Sequence, residues 1–256
     1  MLTANQIKQF ASLKQKKYRE EYGKYLIEGF HLIEECLNSP HELEYIILRE
    51  GVDLQGHTAI LEKLAANKTI VEPLPERSFN KLTDTESSQG IVGVVAHPKI
   101  KAGSGHGDII IALDRVSDPG NLGAIIRTAY WFGVKNIILS KECADPYNPK
   151  VIRSTQGGIF HLNITEDSDL ISELKKYRSG GYSVYLFTLD AEKSLSQISK
   201  SGESGKSVLV FGSEAHGISI EIIEQGFEKL KIEGYSASES LNVAVSAGIA
   251  MYEFMK

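Results

Sequence analysis

Two cysteines in 256 residues, Cys36 and Cys143, leave no framework for a disulfide scaffold and none for a cysteine metal cluster. No run of about 18 apolar residues occurs, which excludes an ordinary transmembrane helix. The opening MLTANQIKQF lacks the apolar core of a secretion signal, so the cytoplasm is the expected location. The sequons at Asn67 and Asn163 are therefore not expected to carry sugar. The seven histidines show no ligand spacing, and His41-Glu42 runs on to Tyr45 instead of completing a His-Glu-x-x-His zinc helix. No metal is expected. No Gly-x-Gly-x-x-Gly follows a strand, so a nicotinamide site has no support. The text Gly202-Glu-Ser-Gly205-Lys206-Ser207 ends like a phosphate-binding loop. That motif needs a glycine where Lys200 stands, and it should open a helix, not precede a strand.

What is present is an ordinary folded composition, 42% hydrophobic and 24% charged, long enough for one large or two small domains. The net charge of −5 argues against nucleic-acid binding until its distribution is read. Residues 1–24 hold six cations, Lys8, Lys14, Lys16, Lys17, Arg19 and Lys24, against Glu20 and Glu21, a local +4. A basic patch of that kind can hold a polyanion on an acidic molecule, although a solvated helix face has the same composition.

The stretch KIKAGSGHGD reads as a linker, which divides the chain into 1–98, 99–107 and 108–256. In the first part, helical spacing near Ile7–Leu13, Phe30–Leu37 and 57–67 alternates with strand-like runs at 43–49, 69–74 and 89–98, a small α/β domain. The second part alternates more strongly. Strands are expected at 108–116, 136–140, 158–164, 182–189, 207–212 and 229–234, and helices follow Asn121 and at 148–156, 168–178, 219–226 and 240–255. Continuous apolar strands such as DIIIALDRV belong in a mostly parallel sheet covered on both faces.

Three stretches sit at the carboxyl ends of strands, where open α/β sheets place ligands. The first is Asp114-Arg-Val-Ser-Asp118-Pro-Gly-Asn121-Leu-Gly-Ala-Ile-Ile-Arg127, with Asn121 able to cap the helix. The second is Phe211-Gly212-Ser213-Glu214-Ala-His-Gly217, bare backbone plus one carboxylate. A helix N-cap turn, with Ser213 as cap and Glu214 in the first turn, accounts for the same text. The third is Ser240-Leu241-Asn242-Val-Ala-Val, opening a small-residue helix capped by Ser238 or Ser240. Taken singly, each is also an ordinary structural turn or packed helix.

Together and in this order the three resemble the SpoU (TrmH-like) branch of the SPOUT RNA methyltransferases. The stretch Ile152-Arg153-Ser-Thr-Gln-Gly-Gly-Ile-Phe160 looks like the family's text between its first two motifs. Leu26-Ile27-Glu28-Gly29 and Gln89-Gly90-Ile91-Val92 are similar to its smaller RNA-binding domain of ribosomal-protein type. The resemblance implies a parallel-sheet domain closed by a deep trefoil knot, with a small N-terminal α/β RNA-binding domain before it. It implies S-adenosylmethionine as cofactor, held by Gly212, Glu214, Gly217, Ile232, Leu241 and Asn242, and no metal. It implies 2′-O-methylation of a ribose in RNA, ribosomal RNA first and transfer RNA as the alternative, by a homodimer joined through its C-terminal helix. Catalytic roles would fall on Arg127, Asn121, Glu214, Ser240 and Asn242, and RNA contacts on Lys14, Lys16, Lys17, Arg19 and Arg153. Many members read Pro-Met where this chain has Glu233-Gly234 at the border of the cofactor loop. A non-catalytic RNA-binding or ribosome-assembly protein keeping the same fold is the competing class. Methylation of a small molecule is a third, for which an RNA-type domain would be superfluous.

Overall fold

A computed structural model describes residues 2–66, 69–98, 107–201, 205–236 and 240–256. In chain order its elements begin α1 (Ala4–Ser12), α2 (Lys16–Tyr22), β1 (Lys24–Glu28), α3 (Phe30–Leu37), β2 (Leu43–Arg49), α4 (Thr58–Ala66), β3 (Ile70–Leu74), α5 (Glu76–Phe79) and β4 (Ile91–Ala96). They continue β5 (Ile109–Asp114), α6 (Pro119–Trp131), β6 (Asn136–Ser140), α7 (Pro149–Thr155), β7 (Asn163–Ser168), α8 (Leu170–Ser179) and β8 (Ser183–Phe187). The last are α9 (Leu195–Ser201), β9 (Ser207–Gly212), α10 (Ile220–Ile223), β10 (Glu228–Leu230) and α11 (Val243–Phe254).

The chain divides into two units, Met1–Lys99 with Asp145–Phe160, and Ile100–Ala144 with His161–Lys256. The expected linker lies, apart from Gly107, outside the described residues. The sequence places 145–160 in the second domain, whereas the structure groups it with the first. The reason is a set of specific anchors. Arg19 donates through Nε to Asp145 at 3.1 Å and through Nη1 to the Leu13 carbonyl at 2.8 Å. Tyr147 packs its ring on Tyr25 and His97, and Arg153 pairs with Asp84 at 2.9 Å.

The first unit carries a four-stranded mixed sheet in the order β1-β4-β2-β3, with β4 antiparallel to both neighbours and β3 parallel to β2. Phe10, Leu13, Leu26, Ile47, Phe79, Val92 and Val94 form its core. Gly93 is required in β4 because a side chain there would meet Ile27 and Leu43 at 2.9 Å.

The second unit is built on six parallel strands in the order β10-β8-β9-β5-β6-β7. β5 and β6 are buried at every residue, as their unbroken apolar text requires. The chain steps outward from β5 through β6 to β7 on one side, and β9, β8 and β10 lie in that spatial order on the other. That reversal between β5 and β9 is where such sheets open a crevice at their carboxyl ends. Asp114 and Gly212 are register partners at that edge.

The expected strand at 158–164 is displaced. Gly158–His161 is a 3-10 turn with Ile159 and Phe160 buried, and β7 is the polar segment that follows. An apolar run marks burial, and here burial is met by a turn.

Candidate active site

The carboxyl end of β5 leads into α6 through Ser117-Asp118-Pro119. Asp118 is the N-cap, accepting the Asn121 N–H at 2.8 Å, and Pro119 occupies the first helical position. The expected cap at Asn121 is thus corrected: Asp118 takes that place, which leaves the Asn121 side chain free to act elsewhere. Its Nδ2 donates to Glu214 Oε1, and its Oδ1 accepts from Asn242 Nδ2 at 2.9 Å. Asn242 is in turn the N-cap of α11, its Oδ1 accepting the N–H groups of Ala244 and Val245 at 2.9 and 3.3 Å. Those two donors fix which way the Asn242 amide points. The direction passes through Asn121 and ends on a carboxylate that can only accept. The expected caps at Ser238 and Ser240 give way to Asn242, and Ser238 itself lies outside the described residues.

Glu214 stands in a tight turn that closes β9. Ser213 N–H donates to the Gly217 carbonyl at 3.1 Å, and Gly217 N–H returns to the Ser213 carbonyl at 2.8 Å. Gly217 sits in the left-handed region at φ +65°. A Cβ at Gly212 would lie 2.0 Å from the Gly217 carbonyl carbon, so only glycine permits this turn to fold back on the strand. The turn is therefore no helix cap. α10 begins later, after Ser219.

Asp114, absent from the expected site residues, anchors this turn from below. Its carboxylate is 3% exposed, accepts the Ser219 N–H at 2.7 Å and the Ser140 hydroxyl at 3.4 Å, and lies 3.6 Å from Arg115 Nε. The sequence signal was available, since a carboxylate ending an otherwise unbroken apolar strand needs a reason to be buried.

The structure brings Asn121, Glu214 and Asn242 into one hydrogen-bonded chain, with Gly212 and Gly217 shaping the turn beside it. Arg127 is exposed six residues further along α6, about 9 Å along the helix axis, and outside that chain of bonds. Leu241 is exposed immediately before the Asn242 cap, and Ile232 follows β10 half-buried. Glu233, at the position that departs from the family pattern, accepts from Ser196 Oγ at 2.9 Å.

The expected RNA contacts divide. Lys17 is exposed, its ammonium over the Tyr18 ring at 5.6 Å, and Lys16 is exposed in a 3.6 Å pair with Glu20. Arg19 is a correction: it is 2% exposed and committed to Asp145, which removes it from any surface patch. Lys14 is half-buried and donates to the Thr83 carbonyl, and Arg153 holds Asp84. Among the described residues no cluster of three His, Cys, Asp or Glu side chains could hold a metal, and no helix is long and apolar enough to cross a membrane.

Comparison with known proteins identifies the chain's relatives. A Bacillus subtilis protein, 23S rRNA (guanosine(2553)-2′-O)-methyltransferase RlmP, is 32% identical over 96% of this chain and 94% of its own. The AdoMet-bound rRNA methyltransferase of Sinorhizobium meliloti superposes with a TM-score of 0.84 at 27% identity, covering 99% of this chain and 95% of that one. The SpoU methyltransferase AviRb of Streptomyces viridochromogenes shares the fold with a TM-score of 0.87 at 22% identity, over 99% and 97% of the two chains. Residues 4–93 match the MRM3-like substrate binding domain. Residues 108–252, which contain every member of the hydrogen-bonded chain, match the SpoU rRNA methylase model, and the protein belongs to that family.

Proposed function

We propose that this protein transfers a methyl group from S-adenosylmethionine to a ribose 2′-oxygen of RNA, with ribosomal RNA as the substrate. The observation that carries the reading is the Glu214–Asn121–Asn242 chain of bonds at the edge where the sheet order reverses. The residues around it suit that cofactor. Leu189, Tyr235 and Leu241 are exposed apolar side chains on the segments after β8, after β10 and before α11, side chains of the kind a purine covers. The turn Gly212–Gly217 offers backbone with little side-chain bulk. Gly212, Glu214, Gly217, Ile232, Leu241 and Asn242 would hold the cofactor, which supplies an electrophilic methyl on a sulfonium.

The protein's own part is to hold the ribose and manage its proton. Asn121, Glu214, Ser240 and Asn242 position the sugar hydroxyl. Arg127 grips the phosphate and ribose of the target nucleotide. A guanidinium is a standing cation and a poor base, so Arg127 acts through its charge, and proton removal calls on the substrate phosphate beside it. Residues 1–98, with Lys14, Lys16 and Lys17, and the segment 145–160 grouped with them, which carries Arg153, form the RNA-binding domain, and the rest of 108–256 the catalytic domain, closed by a trefoil knot. The enzyme works as a cytoplasmic homodimer. α11 supports the dimer: it buries Val243, Ala247, Ala250, Met251 and Phe254 on one side, yet leaves Val245, Ile249 and Tyr252 exposed on another.

Calorimetric titration with S-adenosylmethionine, followed by methylation of ribosomal RNA from a deletion strain, tests the reading. Saturable cofactor binding and a restored ribose methyl are expected. Arg127→Ala should abolish transfer and leave cofactor affinity intact. Absence of cofactor binding would favour a non-catalytic RNA binder.

A further inference from the structure

α6 presents three faces. Leu122, Ile125, Ile126 and Ala129 are buried in the core. Asn121, Thr128 and Phe132 face α11, where Asn121 bonds Asn242, Thr128 lies near Gly248, and Phe132 lies 6.1 Å from the Tyr252 ring. The third face carries Arg127 and Trp131. Four residues apart, they stand one above the other along about 6 Å of helix. Both are exposed, Trp131 by 83%. Beside Trp131, the Tyr130 ring is 40% exposed and stacks on His161, with centroids 4.5 Å apart and planes within 10°.

An indole exposed over most of its surface presents an open aromatic face with an apolar body and a polar N–H. Two occupants are conceivable, a nucleic acid or a second copy of the chain, and the chemistry favours the first. A cation one turn from an open aromatic face is a combination that holds single-stranded nucleic acid, the cation taking a phosphate and the ring taking a base. The exposed face of α11 is different in kind: Val245 and Ile249 are aliphatic, and the Tyr252 ring already has the Lys256 ammonium over it at 4.5 Å.

We infer that Trp131 is a base-stacking platform for the RNA substrate, one nucleotide removed from the phosphate held by Arg127, with the Tyr130–His161 pair flanking it. The inference rests on the proposed RNA methyltransferase activity and adds to it the side chain that sets the register of the bound strand. Stacking accepts any base, so Trp131 would contribute affinity and placement, while sequence is read elsewhere.

The chain has one tryptophan, so its intrinsic fluorescence reports from this site alone. The full-length protein would be titrated with a ten-nucleotide oligoadenylate and with ribosomal RNA from a deletion strain. Quenching that follows the binding isotherm is expected. Trp131→Ala should weaken RNA binding about five-fold or more, the effect of losing one base stack. It should raise KM for RNA, change kcat little and leave the S-adenosylmethionine Kd unchanged. Trp131→Phe should recover part of the loss, since a phenyl ring keeps an open face. A fluorescence shift that follows protein concentration and ignores RNA would assign Trp131 to contact between copies and overturn the inference. Methylation by Trp131→Ala at wild-type KM would overturn it too, with the enzyme reading intact. A wild-type protein that neither binds the cofactor nor methylates RNA would remove both.

Discussion

Gly212→Ala is the sharpest test of how the site is built. The added Cβ would stand 2.0 Å from the Gly217 carbonyl carbon and 2.2 Å from both the Gly217 oxygen and the Ile218 nitrogen. Ordinary contacts between such atoms lie at about 3.5 Å or more, so all three must withdraw by roughly 1.5 Å. They are backbone atoms, and no rotamer change can absorb the clash. One escape opens the Ser213–Gly217 turn and loses its two mutual hydrogen bonds, at about 1 kcal/mol each. The other displaces Ile218, whose side chain is 5% exposed in the core of the second unit. Either way the cost should be about 2–3 kcal/mol, in the range of an overpacked core. The displaced turn also carries Glu214 away from Asn121, so cofactor affinity should fall with stability. Gly217→Ala is the control: its Cβ would meet nothing within 4 Å, and only the left-handed backbone at φ +65° resists it. That strain is about 1–2 kcal/mol. Urea unfolding and calorimetric titration with S-adenosylmethionine measure both quantities. A Gly212→Ala protein with wild-type midpoint and wild-type cofactor affinity would refute the steric argument.

Other perturbations address the first unit. Arg19→Ala strands the Asp145 carboxylate, 11% exposed, without its cation, and should cost about 3–5 kcal/mol by urea unfolding. The double variant Arg19→Met, Asp145→Leu should recover much of that, and equal losses in both would show that the charges are not paired. Burial holds the His97 imidazole below its usual range, opposed by nearby Asp145. The native state thus keeps His97 neutral, so its contribution is whole above about pH 6.5 and lost as pH falls toward the lower native value. His97→Gln should flatten the acid limb of a stability–pH curve, and an unchanged limb would exclude this residue as its source. Replacing Lys16 and Lys17 by Ala should weaken RNA binding and lower its salt dependence by about one counterion per lost phosphate contact. An unchanged slope would return both to ordinary solvated surface.

The strands of the second unit are legible wherever the text is continuously apolar, as in β5 and β9, because a strand covered on both faces has no polar period to disguise it. Edge strand β7 was not legible. Its text Asn163-Ile-Thr-Glu-Asp-Ser168 is polar, and the apolar Gly158-Ile-Phe160 before it drew the expectation four residues upstream. Caps were ambiguous for a related reason. The turn Asp118-Pro-Gly-Asn121 offers two side chains able to cap, and Pro119 decides between them, since proline suits the first helical position and so assigns the cap to Asp118. The basic N-terminal segment shows the limit of composition most plainly. Arg19 counts as a surface cation in any charge tally, yet it is buried against Asp145, a residue 126 positions away.

That separation is also why the residues expected at the site could be listed from sequence while the bonds among them could not. Asn121 lies 93 residues from Glu214 and 121 from Asn242, and Asp114 lies 105 from Ser219. These bonds join the ends of β5 and β9 to the start of α11, and no local propensity encodes them. Within the chain of bonds the three members are not equivalent. Glu214 is also held by a turn that glycine sterics force shut, and Asn242 by the first N–H groups of α11. Asn121 bonds both of them, so its loss would leave two polar groups unpaired, where loss of Glu214 or Asn242 would leave the other still attached. The helix that carries Asn121 also carries Arg127 and Trp131. A rotation of α6 that broke the Asn121 bonds would therefore re-aim Arg127 and Trp131 together, so on the proposed roles of these residues one helix would couple cofactor binding to RNA binding.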